Sequence, residues 1–301
     1  MAAGSAEDEE ESDRLFSALW SPIGAATVKA ARLRPGAHVL DAWCGPGASA
    51  IQAAEHVGPL GVVDAVDLAE SSLERGRARA EAHGVANVRF LRGDVSDWPA
   101  PPGGYDAVLC ALGVSSFPDA ADGTERLLSL MRPGGRLTTA VWSRTALDPL
   151  TEALRQALPP ERPGAAGAPP PADPLRHLGS LRSLRDWLAA RSLSFVEARY
   201  VPLALPADPG LLWTLTHTRF GGLLDGLPVH AVDRVRRRFT ERLLAEGRDT
   251  IDASALVGTG TVRRVARPRR PRGVRPLQTA YRPTGSAPRL PTPPPPASST
   301  A

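Results

Sequence analysis

The sequence predicts an α/β protein built on a doubly wound, mostly parallel sheet, and three observations lead there. Between residues 36 and 142, short apolar runs of strand length alternate with segments of helical period. The connections between them are brief and rich in Gly and Pro. Successive strands joined through helices must cross over right-handedly, which puts helices on both faces of one open sheet.

The elements follow in order. Apolar residues recur at helical spacing from Leu15 to Leu33, with an interruption expected at Pro22, and Leu33-Arg34-Pro35-Gly36 reads as a turn. His38–Ala42 is a buried strand, Cys44-Gly45-Pro46-Gly47 a glycine turn, and Ala48–Val57 a helix. A second strand, Val62–Val66, ends at Asp67; a helix over Ser71–His83 is closed by Gly84. Val88–Arg92 and Asp106–Leu112 are the third and fourth strands. A helix over Gly123–Met131 stops at Arg132-Pro133-Gly134-Gly135, and Arg136–Trp142 is the fifth strand. Pro159–Pro174 is a Pro/Ala/Gly linker. Beyond it, Leu181–Ala190, Leu211–Leu224 and Val229–Ala245 have helical patterns, and Ser194–Leu203 and Ala253–Val262 have strand patterns.

Composition narrows the class. With 301 residues, 42% of them hydrophobic, the chain can bury a sizeable core. Its longest apolar runs, such as Leu60–Val66 and Ala107–Val114, fall far short of a membrane span. Cys44 and Cys110 are the only cysteines and both lie in apolar contexts, which excludes a disulfide framework. The acidic start, Glu7–Asp13, argues against a secretory leader, so a cytoplasmic location is expected. Residues 263–301 hold nine arginines and no acid, so the formal charge of +4 becomes −5 on residues 1–262. Setting aside the six acids of Glu7–Asp13 leaves residues 14–262 at +1. A nearly neutral globular part argues against a nucleic-acid partner, and the basic balance belongs to the tail. The acidic head (1–13) and the Arg/Pro-rich tail (263–301) are expected to be disordered.

Chemistry concentrates in Val39-Leu40-Asp41-Ala42-Trp43-Cys44-Gly45-Pro46-Gly47. A strand ends in a carboxylate, and the chain then turns through two glycines into a helix whose first N–H groups are free. In open parallel sheets such a turn faces the crevice beyond the strand ends. Gly45, Gly47 and Ala50 also satisfy the dinucleotide spacing G-x-G-x-x-A, with Asp67 about 20 residues on, so an NAD-dependent oxidoreductase is one alternative. Asp41 separates the two readings. A carboxylate there repels a pyrophosphate but suits a ligand bearing an ammonium and a sulfonium.

Over residues 36–142 the chain resembles the class I S-adenosylmethionine-dependent methyltransferases. Val39–Gly47 resembles the family's first motif and Val63-Asp64-Ala65-Val66-Asp67 its second. Phe90–Val95 resembles the third, Tyr105–Cys110 the fourth, and Leu130–Leu137 the hydrophobic-R-P-G-G turn before the fifth strand. The resemblance implies a Rossmann-like sheet of seven strands, the last antiparallel, and S-adenosyl-L-methionine as cofactor. It assigns Asp41, Gly45 and Gly47 to the methionine moiety and Asp67 to the ribose hydroxyls. Leu68 would cover the adenine, Asp94 would accept from its amino group, Val95 would offer backbone, and Ala111 and Leu112 would line the methionine side. It further implies a methyltransferase domain over residues 14–262, with a cofactor-binding core at 14–150 and a helical lid at 204–250. The expected partner is a small-molecule acceptor, with no membrane and no metal. His217, inside the lid, is the candidate general base. Two departures stand out. Trp43 occupies a place where the family carries a small residue, often glycine, and Ser115-Ser116 replaces bulky apolar residues. Trp43 keeps open a second alternative, a non-catalytic protein retaining the fold.

Overall fold

The structure, a computed structural model, describes residues 6–162 and 173–263. The expected tail and most of the Pro/Ala/Gly linker lie outside the described residues.

The chain opens with α1 (Ala6–Leu15), a π-helical turn (Phe16–Trp20) and α2 (Ser21–Ala31) in unbroken succession. Two expectations are corrected here. Pro22 does not interrupt the helix, because it sits in the first turn of α2, where a missing N–H costs nothing. The wide turn ahead of it, with Ser21 N–H donating to Phe16 O, accommodates the ring. Residues 6–13 are helical rather than disordered, because partners far along the chain hold their charges. Glu11 Oε2 accepts from Thr214 Oγ1 at 2.9 Å, Asp13 pairs with Arg79, and Arg14 donates to Asp208 at 3.1 Å.

Then come β1 (His38–Ala42), α3 (Ala50–Val57), β2 (Val62–Asp67), α4 (Glu70–Ala82), β3 (Val88–Arg92), β4 (Tyr105–Ala111) and α5 (Ala120–Ser129). They are followed by β5 (Met131–Trp142), α6 (Asp148–Ala157), α7 (Leu181–Ala189), β6 (Leu193–Val201) and β7 (Ala204–Pro206). The chain closes with α8 (Pro209–Phe220), α9 (Val229–Ala245), β8 (Thr250–Asp252) and β9 (Ala255–Val262). Helix α5 starts three residues before its expected position because Asp119 caps it, accepting from Ala121 N and Asp122 N.

Seven strands form one sheet, as the resemblance implied, and their order is β3-β2-β1-β4-β5-β9-β6. Strands β1–β5 are parallel and β9 is antiparallel to both its neighbours. The chain winds outward from β1 to β3 and then returns to place β4 on the other side of β1. The end of β1 is therefore a topological switch point, where an open α/β sheet leaves a crevice.

The pleat sends alternate residues to opposite faces. Val39, Ala65 and Leu109 join α3 and α4 in one core, while Leu40, Val66 and Cys110 join α5 and α7 in another. A third core lies beyond the ends of β4 and β5. There Trp142, Leu147 and Leu154 pack with Trp213 and Phe239 from the β7-α8-α9-β8 insertion and with Leu15 and Leu19. From β3 to β4 a polar network crosses the sheet: Asp64 accepts from Arg89 Nε (2.6 Å) and Tyr105 OH (2.9 Å) and hydrogen-bonds His38 Nε2 (2.8 Å). Trp98 Nε1 completes it by donating to Tyr105 OH at 3.0 Å. Among the described residues, no helix is long and apolar enough to cross a membrane, and no cluster of His, Cys, Asp or Glu could hold a metal.

Candidate functional site

Asp41, fourth residue of β1, is buried at 1% exposure. Its Oδ2 accepts from Ser49 Oγ at 2.7 Å, whereas its Oδ1 is buried without a hydrogen-bond partner among the described residues. Burial, opposed by the Ser49 bond and reinforced by the Asp67 charge, pushes its pKa up to about 7. An uncompensated buried carboxylate oxygen is costly, and a cation or hydrogen-bond donor brought to it would remove that cost.

The turn beyond Asp41 is built to leave room. Gly45 has φ +52°, and a Cβ there would meet nothing within 4 Å, so the loop faces open space. Gly47, at φ +85°, is different: a Cβ would come within 2.8 Å of the Phe90 ring, which fixes how closely the loop lies against β3. Asp67, at the end of β2, braces the loop. Its Oδ2 accepts from Gly45 N and its Oδ1 from Ala69 N, both at 2.9 Å. Each oxygen keeps lone pairs for a further donor. Asp41, Gly45, Gly47 and Asp67 are thus brought together at one turn beyond the ends of β1 and β2.

The remaining expected residues lie along the same edge. Leu68 follows Asp67 and is half-exposed. Asp94 is exposed and its Oδ1 accepts from Ser96 N at 2.8 Å, an Asx turn that leaves Oδ2 without a bond among the described residues. Val95 is fully buried. Ala111 ends β4, and Leu112, at φ +60°, turns the chain away and packs against the third core. His217 stands apart. It is exposed on α8, its ring tilted against Trp213 at 6.3 Å, with no hydrogen bond to the crevice residues among the described residues.

Trp43 packs rather than gapes. Its ring meets Phe117 edge-on at 5.7 Å, and its Cβ fills the place where a Cβ on Gly113 would sit, 2.7 Å away. Its backbone has φ +56°, the left-handed region that a glycine enters without strain and tryptophan does not. Its buried Nε1 has no hydrogen-bond partner among the described residues.

Sequence reasoning missed two residues that position this site. Ser49, read as part of a helix, anchors Asp41 from just ahead of α3. Gly24 in α2 lets that helix touch the loop, since a Cβ there would lie 2.6 Å from Ala48 O and 3.0 Å from Ser49 N. Its place inside an apolar helix was the available signal, because glycine there marks close approach.

Residues 18–158 match the model of the ubiE/COQ5 methyltransferase family. Nocamycin O-methyltransferase of Saccharothrix syringae is 38% identical over 104 residues, 35% of this chain and 37% of that protein. Demethylmenaquinone methyltransferase of Listeria welshimeri is 32% identical over 111 residues, 37% of this chain and 47% of that protein. The chain thus spans less than half the length of the curated relatives it matches. Among solved structures, YjhP of E. coli overlays with a TM-score of 0.53 at 19% identity, covering 83% of this chain and 100% of that one. The [4+2]-cyclase SpnF overlays at 0.51 and 15% identity, covering 81% and 82%. At such identities the fold alone is shared.

Proposed function

We propose that this chain, whose residues 18–158 match the model of the ubiE/COQ5 methyltransferase family, is a class I S-adenosylmethionine-dependent methyltransferase that carries a methyl group to a small-molecule acceptor. The observation that carries this reading is the half-satisfied carboxylate of Asp41 beneath a glycine turn that opens onto space. That donor set fits S-adenosyl-L-methionine. Bound there, the cofactor supplies an electrophilic methyl on a sulfonium, whose leaving group departs neutral.

The chain's own part is to bind and orient. Asp41 offers its unpaired oxygen to the ammonium, while Gly45 and Gly47 let the backbone approach the methionine moiety. Asp67 accepts the ribose hydroxyls on its remaining lone pairs. Leu68, Asp94 and the Val95 backbone frame the adenine, and Ala111 and Leu112 close the methionine side. Since the leaving group needs no proton, the rate rests on holding donor and acceptor in line. Leu112, Trp142 and Trp20, grouped about the ends of β4 and β5, suit an apolar acceptor. Relatives named for O- and C-methylation support a small molecule without choosing between oxygen and carbon. A dinucleotide fits poorly, because its pyrophosphate would lie against an already strained pair of carboxylates.

SpnF shows that this fold also hosts a cyclase, so binding and turnover must both be measured. Calorimetry with S-adenosylhomocysteine should show clear binding, weakened by about 1–3 kcal/mol in Asp67→Ala. Equal affinity in both folded proteins would overturn the ribose assignment. Absence of methyl release from S-adenosylmethionine with any phenolic, alcoholic or quinol acceptor would favour the non-catalytic reading.

A further inference from the structure

The opposite end of the strands, away from the glycine turn, carries a concavity. It is a groove of about 720 Å³ beneath the starts of β1, β4, β5 and β6 and the end of β9. Ligand sites of small molecules occupy volumes of roughly 300–1,000 Å³. Five arginines line it: Arg32, Arg34, Arg132, Arg136 and Arg263. Two carboxylates answer them. Arg32 donates to both Glu197 oxygens at 3.0 Å, and Arg132 pairs with Asp106. Arg34, Arg136 and Arg263 have no ion pair among the described residues.

Arg136 forms the floor. It is half-buried, and among the described residues its side chain makes a single, long hydrogen bond, to Thr259 Oγ1 at 3.5 Å. Burial above all presses its pKa down, and the charges of Arg32 and Arg34 add to this while Glu197 opposes it. The C-terminal carbonyls of α2 at Ala31 offset part of this charge, but about two or three cations stay uncompensated. At the rim stands Phe195, 81% exposed, at φ +54° on a bulge of the edge strand β6. An aromatic side chain that is both exposed and held left-handed is disfavoured twice, and such strain concentrates where a ligand is gripped.

We propose that this groove binds a phosphate-bearing molecule, with Arg136, Arg34 and Arg263 holding its phosphate oxygens and the Phe195 ring stacking on the attached planar or apolar body. Guanidinium forks match phosphate oxygens bidentately, and a ring face accepts a base or a lipid chain. The same chemistry is offered by a free nucleoside diphosphate and by an anionic lipid headgroup. The site shares no residue with the glycine-turn crevice and stands independently of the methyl-transfer reading.

The test is calorimetry with inorganic pyrophosphate and uridine diphosphate, run with S-adenosylhomocysteine at saturation so that the crevice is closed to them, beside sedimentation with phosphatidylglycerol vesicles. The expected result is binding of at least one probe that weakens at least tenfold in Arg136→Gln and in the exposed Arg34→Gln, and weakens as salt is raised. Uridine diphosphate or vesicles should bind more tightly than pyrophosphate, an advantage lost in Phe195→Ala. Binding confined to vesicles assigns the phosphate to a lipid, and binding of the free diphosphates assigns it to a small molecule. No binding of any probe, or equal affinity in wild type and both arginine variants, overturns the proposal. Persistence of the uridine advantage in Phe195→Ala removes Phe195 from it.

Discussion

Two residues set the character of the crevice, and both are under strain. Asp41 has its pKa raised from an ordinary 3.8 to about 7. A group whose folded pKa is raised stabilises the fold fully below its unfolded pKa, and that contribution is lost as pH rises through the folded value. The ligand-free protein should therefore lose on the order of 4 kcal/mol from this group between about pH 4 and pH 7. Asp41→Asn should accordingly raise the melting temperature at pH 8 and much less at pH 4, and an unchanged melting temperature at pH 8 would contradict the burial argument. Such a site trades stability for function. Trp43 presents the reverse balance. Trp43→Gly relieves about 1–2 kcal/mol of left-handed strain but gives up the Phe117 contact and a buried ring worth more. Chemical denaturation should show a net loss of about 1–2 kcal/mol, while S-adenosylhomocysteine affinity stays within about threefold because the ring packs beside Phe117. The motif residues were legible because their types are dictated by the backbone: Gly47 by Phe90, Asp67 by the loop N–H it caps. The direction Trp43 takes was not, since it depends on Gly113, 70 positions away.

At the scale of elements, the strands β1, β2 and β4 were legible because each is a short, mostly apolar run between turn residues, whereas β5 begins at Met131 and runs through the expected Arg132-Pro133-Gly134-Gly135 turn. Helix α1 was not legible. It is polar all round, and its partners Thr214, Arg236 and Asp208 lie about 200 positions on, so no local pattern announces it. Helix α2 lends itself to a test of how elements position the site. Gly→Ala inside a helix ordinarily stabilises by about 1 kcal/mol. Gly24→Ala should instead destabilise by about 1–3 kcal/mol, because the methyl meets the backbone of Ala48 and Ser49 rather than a side chain that can turn away. The same push should shift Ser49 from Asp41 and weaken S-adenosylhomocysteine binding, although α2 contains none of the motif residues. Helix α8, by contrast, keeps His217 exposed, so His217→Ala should leave kcat at pH 7 within about twofold. A loss of a hundredfold or more would restore His217 as the base.

At the scale of the molecule, three cores share the sheet, and the insertion is not a separate body. Trp213 and Phe239 pack with Trp142 and Leu154, so calorimetry should find one cooperative transition for residues 6–263, with matching calorimetric and van't Hoff enthalpies. Alternation of strands and helices made the sheet legible. The third core was not, because its members come from five stretches of sequence and their helical periods do not say which faces meet. The arginine groove escaped notice for the same reason, as net charge hides what folding gathers. The account as a whole stands on Asp41 receiving a cation. Calorimetry of S-adenosylhomocysteine binding from pH 5.5 to 8.5, on wild type and Asp41→Asn, tests it most directly. Affinity should fall about tenfold per pH unit below about 7 in the wild type, as binding must first expel the proton. In Asp41→Asn it should be weaker throughout and flat. Equal, pH-independent affinity in the two proteins would contradict it.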